Sequence, residues 1–183
     1  MILITAFEPF GGESVNTSEE VLRRIPERIG GHTVEKLVLP VAFGKAAEQV
    51  LKYGAEQIFL LGEAGRRKTV TPETRAKNLR DARIPDNEGY KPEGEPIIPA
   101  GPEFYFCRYP VRGIVSRMRE EGYAVEASDD AGTYVCNDTF YAVGARSERP
   151  VSFIHVPHRE SGIGELAETV TRYIELAITA LDE

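Results

Sequence analysis

Ile2-Leu3-Ile4-Thr5-Ala6 is a short, almost wholly apolar run, the pattern of a strand buried on both faces of a sheet. The chain beyond it alternates between strand-like and helix-like segments, and that alternation decides the fold class. Phe10-Gly11-Gly12 reads as a tight turn that needs glycine. Neither of the glycine-rich phosphate-loop patterns is present there, so a nucleotide site lacks its mechanism. Thr17 is placed to cap a helix, with Glu20 three residues on completing a capping box, and Pro26 ends it. Val34 to Leu39 reads as a second strand and Ala46 to Tyr53 as a short helix, which Gly54 is expected to close from the left-handed region. Gln57-Ile58-Phe59-Leu60-Leu61 is a third strand, ending at Gly62.

Pro85 to Pro102 carries five prolines and three glycines, a composition that excludes an interior helix or a central strand and implies an ordered loop or an edge excursion. The alternation then resumes. Val111 to Glu121 is helical up to Gly122, Ala124 to Ala127 a strand, Thr133 to Ala145 a helix and Val151 to Val156 a strand. Glu165 to Leu181 is a closing helix with Leu166, Val170, Ile174, Ala177 and Leu181 along one stripe. No internal repeat, linker or low-complexity tract interrupts this order. The expected architecture is a single α/β domain over residues 1–183, a three-layer α/β/α sandwich with a twisted, largely parallel central sheet.

Composition narrows the function. Among 183 residues, 22 basic and 29 acidic side chains leave a net charge of −7, which argues against nucleic acid, whose phosphates demand clustered Lys and Arg. No apolar run reaches the roughly 20 residues of a membrane span. The first residues lack the basic start and cleavage site of a signal peptide, so a cytoplasmic location is expected. Two cysteines, Cys107 and Cys136, are too few for a disulfide-built fold.

Sites in open α/β sheets form beyond the carboxyl ends of the strands. Three reactive groups fall there. Glu73 follows the third strand, Cys136 opens the helix after Ala124–Ala127, and His155 lies near the end of Val151–Val156. A thiol, an imidazole and a carboxylate are the parts of a cysteine nucleophile, its base and the group that orients the base. In the first turns of a helix, unpaired N–H groups and the dipole favour a thiolate, so a lowered Cys136 pKa is expected. The bland alternative is a small buried hydrophobe, and for Cys107, among Tyr105, Phe106 and Tyr109, that alternative is preferred. His32, after Gly30-Gly31, and His158, after Pro157, read as surface residues. A metal site on His155 and His158 lacks further ligands, so no metal is expected. Arg66-Arg67-Lys68 and Arg23-Arg24 read as solvated faces, and Asp86-Asn87-Glu88-Gly89 as turn chemistry.

Five separated motifs, in order along the chain, resemble those of pyroglutamyl peptidase type I, a family of cysteine peptidases. They are Thr5 to Gly12, Leu39-Pro40-Val41-Ala42-Phe43-Gly44, Asp81 to Gly89, Ser128 to Tyr141 and Phe153-Ile154-His155-Val156-Pro157. The resemblance implies that Cys136 is the nucleophile, His155 its base and Glu73 the third member. It places an active-site arginine at Arg83 and aromatic pocket walls at Phe7 and Phe10. Asn16 and Glu63 complete the expected substrate or oxyanion group. It also implies removal of an N-terminal pyroglutamyl residue through a thioester, no cofactor, peptide substrates that begin with pyroglutamate, and a cytoplasmic homo-oligomer, often a tetramer. The chain departs from the pattern at Glu63, where the family commonly has Gln, and in a shorter segment between His155 and the last helix. An ionised carboxylate at 63 accepts from a lactam N–H but cannot donate. These departures motivate an alternative, a catalytically silent or altered-specificity binder or amidase on the same scaffold.

Overall fold

The computed structural model describes residues 1–182. Its elements in chain order are β1 (Ile2–Phe7), α1 (Thr17–Arg24), β2 (Arg28–Ile29), β3 (His32–Leu39), α2 (Lys45–Leu51), β4 (Gln57–Glu63), β5 (Thr71–Pro72), β6 (Arg75–Lys77), β7 (Arg80–Asp81), β8 (Glu93–Glu95), β9 (Phe104–Phe106), α3 (Val111–Glu120), α4 (Val135–Arg146), β10 (Val151–Val156) and α5 (Ile163–Asp182). The main sheet runs β2-β3-β1-β4-β10-β5. Strands β3, β1, β4 and β10 are mutually parallel, and the two-residue β2 and β5 close the edges antiparallel.

Every residue of β1 and β10 is buried, as a strand covered on both faces requires. Alternate side chains divide between two cores. Ile2, Ile4, Phe59, Leu61, Ile154 and Val156 pack with residues of α1, α3 and α5. Leu3, Ile58, Leu60, Val151 and Phe153 pack with residues of α2 and α4 on the other side. Each such side chain contributes roughly 1.5–3 kcal/mol on leaving water, and the two cores make the expected α/β/α layers. The proline-rich stretch after Pro85 contributes only β8, paired with β7 outside the main sheet.

Several local expectations are corrected. The cap of α1 is Asn16, not Thr17: the Asn16 carboxamide oxygen accepts from Ser18 N–H at 3.0 Å, which leaves Thr17 as the first helical residue. Helix α2 ends at Leu51 and Gly54 is not left-handed; the positive φ of 77° falls instead on Gly44, at the start of α2. Ala124–Ala127 is no strand. It makes one isolated bridge, Val125 to Val70, with a second just beyond it from Ser128 to Glu73, alongside a segment whose Pro72 has no N–H to give a regular ladder. On α5 the apolar stripe is buried up to Ala177, but Leu181 is 40% exposed near the helix end. Gly11 and Gly12 hold φ of 63° and 80°, the turn their sequence implied.

Candidate active site

The parallel strands β1, β4 and β10 end on the same side of the sheet. The chain order reverses there, because β1 is flanked by β3 on one side and β4 on the other. A cleft of about 120 Å³ opens at this point. Phe7 from β1, Glu63 from β4, His155 from β10 and Cys136 from α4 line it, with Phe10, Asn16, Val41 and Tyr134 completing its walls. A wider surface hollow of about 660 Å³ lies along α3, but its lining, Ser116 among charged residues such as Arg112, Arg119, Glu120 and Glu126, includes neither a cysteine nor a histidine.

His155 alternates with Ile154 and Val156 and so shares its face with Phe153, toward α4. Its ring sits 4.7 Å from that of Phe153, centroid to centroid. Nδ1 lies 2.7 Å from Glu73 Oε1, in a pair whose carboxylate is wholly buried and whose imidazole is almost so. A carboxylate only accepts, so Nδ1 donates and Nε2 is left to take a proton. Glu73 is fixed through its backbone: its N–H donates to Phe153 O at 2.9 Å, and the next amide, Thr74 N–H, donates to Ser128 O at 2.7 Å.

Cys136 is the second residue of α4, and its neighbours hold that turn in place. The buried Asn137 amide donates to Lys77 O and Leu79 O and accepts from Lys77 N–H. Asp138 accepts from Gly44 N–H at 2.8 Å and from Arg80 Nε at 2.6 Å. Burial pushes the Asp138 carboxyl up, against the pull of these donors. The Cys136 sulfur rests against β4 at Gly62, where a Cβ would come within 2.6 Å of Sγ and 2.7 Å of the Phe153 ring. Gly62 is also the register partner of His155. Only a residue without a side chain lets thiol and imidazole strand meet here. The lowering expected for the thiol from its place in the helix is opposed by its surroundings. Burial pushes the thiol up to about 12, the Glu73 and Glu63 charges add to that, and its own backbone N–H pulls the other way. Cys107 is likewise pushed up by burial, to about 11, and faces Val151 O rather than a histidine.

Most other residues picked out from sequence converge here. Phe7, Phe10, Asn16 and Glu63 all line the cleft. Asn16 also donates to Glu8 O, so the helix cap and the cleft wall are one side chain. Glu63 Oε2 accepts from Thr17 N–H at 2.6 Å, bracing the start of α1, and Oε1 lies 3.4 Å from His158 Nδ1. Arg83 is exposed and lies outside the cleft lining, although nearby Pro85 O accepts from the cleft residue Tyr134. Arg67, part of a cluster that reads as solvated, instead points inward to Glu73. Its only sequence signal is its place after the third strand, which Arg66 and Lys68 share. Neither a metal-ligating group of three or more His, Cys, Asp or Glu nor a helix able to cross a membrane occurs among the described residues.

The sequence model of the family described as Pyroglutamyl peptidase matches residues 1–175. A pyrrolidone-carboxylate peptidase of Thermococcus onnurineus is 42% identical over 165 residues, covering 85% of this chain and 82% of its own. One from Thermococcus kodakarensis is 37% identical, covering 100% of this chain and 96% of its own. The crystal structure of pyrrolidone carboxyl peptidase from Thermus thermophilus superposes with a TM-score of 0.91 at 36% identity, covering 96% of this chain and 99% of that one.

Proposed function

This chain belongs to the pyroglutamyl peptidase family of cysteine peptidases, and from that premise we propose that Cys136, His155 and Glu73 carry its reaction. The activity is removal of an N-terminal pyroglutamyl residue from peptides. Relatives that share one activity in their names give the silent-binder alternative no support.

The observation that carries the assignment is the buried 2.7 Å contact of His155 with Glu73, in a cleft where Cys136 lies over the glycine paired with His155. His155 Nε2 accepts the thiol proton as sulfur attacks the carbonyl that follows the lactam ring. The C–S bond forms and the carbonyl π electrons move onto oxygen. When the electrons return, the C–N bond breaks and the imidazolium proton passes to the leaving amine. Water, deprotonated by His155, then attacks the thioester and expels the thiolate, which recovers the proton. Burial and the nearby carboxylates favour the neutral thiol, so a base within reach of it is needed to form the nucleophile. Glu73 holds the ring in the tautomer that leaves Nε2 free. The unpaired N–H groups in the first turn of α4, that of Cys136 among them, are suited to hold the oxyanion. Phe7 and Phe10 provide apolar walls for the flat lactam. An unmodified N-terminus would have to bury an ammonium beside them, which is costly even with Glu63 nearby.

We extend this reading to a single catalytic domain, a cytoplasmic location and a homo-oligomer, a tetramer by family resemblance. Phe106, 61% exposed, is among the apolar side chains such an assembly would cover; light scattering of the purified protein measures its mass directly. The activity test is chromophore release from a pyroglutamyl amide against a prolyl amide control. Cys136→Ala must abolish release. Full activity in that variant would overturn the assignment.

A further inference from the structure

Arg67 stands in the turn after β4, where its N–H donates to Ala64 O at 3.0 Å, and it is half-buried between the exposed Arg66 and Lys68. Its terminal nitrogen Nη2 faces three acceptors at once: Glu73 Oε1 at 3.1 Å, Ser128 Oγ at 3.0 Å and Asp130 O at 2.7 Å. Glu73 Oε1 is the same oxygen that accepts from His155 Nδ1, and the other carboxylate oxygen, Oε2, is buried without a partner. Ser128 is the bridge partner of Glu73, and Asp130 lies six residues before Cys136 in the lead-in to α4. We propose that Arg67 is a positioning residue of this active site: it pins Glu73 by one oxygen against His155 and ties that pair to the segment that delivers Cys136.

This rests on Glu73, His155 and Cys136 acting together as proposed, and it follows from how the carboxylate is held. A buried carboxylate needs charge-assisted donors. With Arg67 present, both donors converge on Oε1. Without it, the group is free to turn its unpartnered oxygen toward the imidazole, and the negative charge is compensated by His155 alone. The other charged or titratable groups near these residues include Glu63 at the end of β4, Cys136 on α4, and, before it, Asp130 and Asp129, whose carboxylate accepts from Thr74 and Arg112. The Asp130 carboxyl is held down by Gly132 N–H, Lys77 and Arg67. Arg67 does not line the cleft, so its effect on substrate passes through Glu73.

The sign of the effect is fixed. Loss of the guanidinium charge stabilises the imidazolium, and His155 must be neutral to act as base. The acid limb of kcat/KM in Arg67→Met should therefore move up by about one pH unit, with kcat at the plateau down about tenfold and KM within about twofold. An NMR titration of His155, assigned through His155→Gln, should show the same upward move. Arg67→Lys, whose ammonium offers donors to the same acceptors, should keep the limb within about 0.3 unit. A lower plateau with the limb and the His155 titration unmoved would reduce Arg67 to a structural role and overturn the proposal. Should Arg67→Met lose its near-ultraviolet dichroism, Arg67→Gln, which keeps an amide donor without the charge, must show the upward shift, and a fixed limb there overturns it equally. The titration reads no turnover, so failure of this coupling is distinguishable from failure of Cys136→Ala to abolish activity.

Discussion

Two imidazole–carboxylate pairs stand at the same end of the sheet, and they differ in almost every physical respect. His155 and Glu73 meet at 2.7 Å with side-chain exposures of 5% and 0%. His158 and Glu63 meet at 3.4 Å, with the imidazole 45% exposed. The first pair is built on strand β10 and on a backbone wedged between β10 and Ser128; the second joins a strand end to a loop. A buried, short contact fixes tautomer and ring plane, whereas an exposed one is screened by water and worth about 0–1 kcal/mol. Identical chemical groups thus give an orienting device in one place and a soft contact in the other.

The largest effect is expected on breaking the buried pair. Glu73→Gln keeps the shape but lets Nε2 compete for the ring proton, and kcat should fall by about 10²–10⁴ in steady-state assays while KM changes little. Next comes the thiol that the two carboxylates bracket. Burial and the charges of Glu73 and Glu63 disfavour the thiolate, so its population rises with pH. Inactivation by iodoacetamide should accelerate about tenfold per pH unit between pH 7 and 9. A plateau across that range would indicate a preformed thiolate–imidazolium pair. Glu63→Gln removes one of those charges and keeps an oxygen for Thr17 N–H. Alkylation at pH 7.5 should quicken about threefold, and KM for a pyroglutamyl amide should shift by less than about tenfold. The smallest effect belongs to the exposed imidazole: His158→Gln should leave kcat/KM within about twofold and stability within about 0.5 kcal/mol.

The same contrast explains what is legible in the sequence. Strands β1, β4 and β10 are dense apolar runs whose burial follows from composition, and their parallel order places Glu73, Cys136 and His155 at one end. Cys136 is recognisable by its position in the first turn of a helix. The desolvation and the Glu63 and Glu73 charges that oppose the helix terminus at its thiol are not, because they come from distant parts of the chain. Arg67 reads as surface because Arg66 and Lys68 flank it, and its acceptors Ser128 and Asp130 lie 61 and 63 residues away. The brace from Glu63 to Thr17 spans 46 residues and is equally invisible. Ala124–Ala127 has strand composition, yet it borders a segment interrupted by Pro72 and pairs at only one point, Val125. Arg83 is assigned to the site by resemblance alone, and its exposed side chain does not line the cleft.

The bare backbone at Gly62 carries a consequence for anyone who would redesign this pocket. A methyl group there would occupy the space of the sulfur atom, acting as an inhibitor that is built into the chain and cannot diffuse away. Libraries aimed at new acyl groups should leave that position untouched and concentrate their diversity on the rings at 7 and 10, where bulk shapes the guest without evicting the nucleophile.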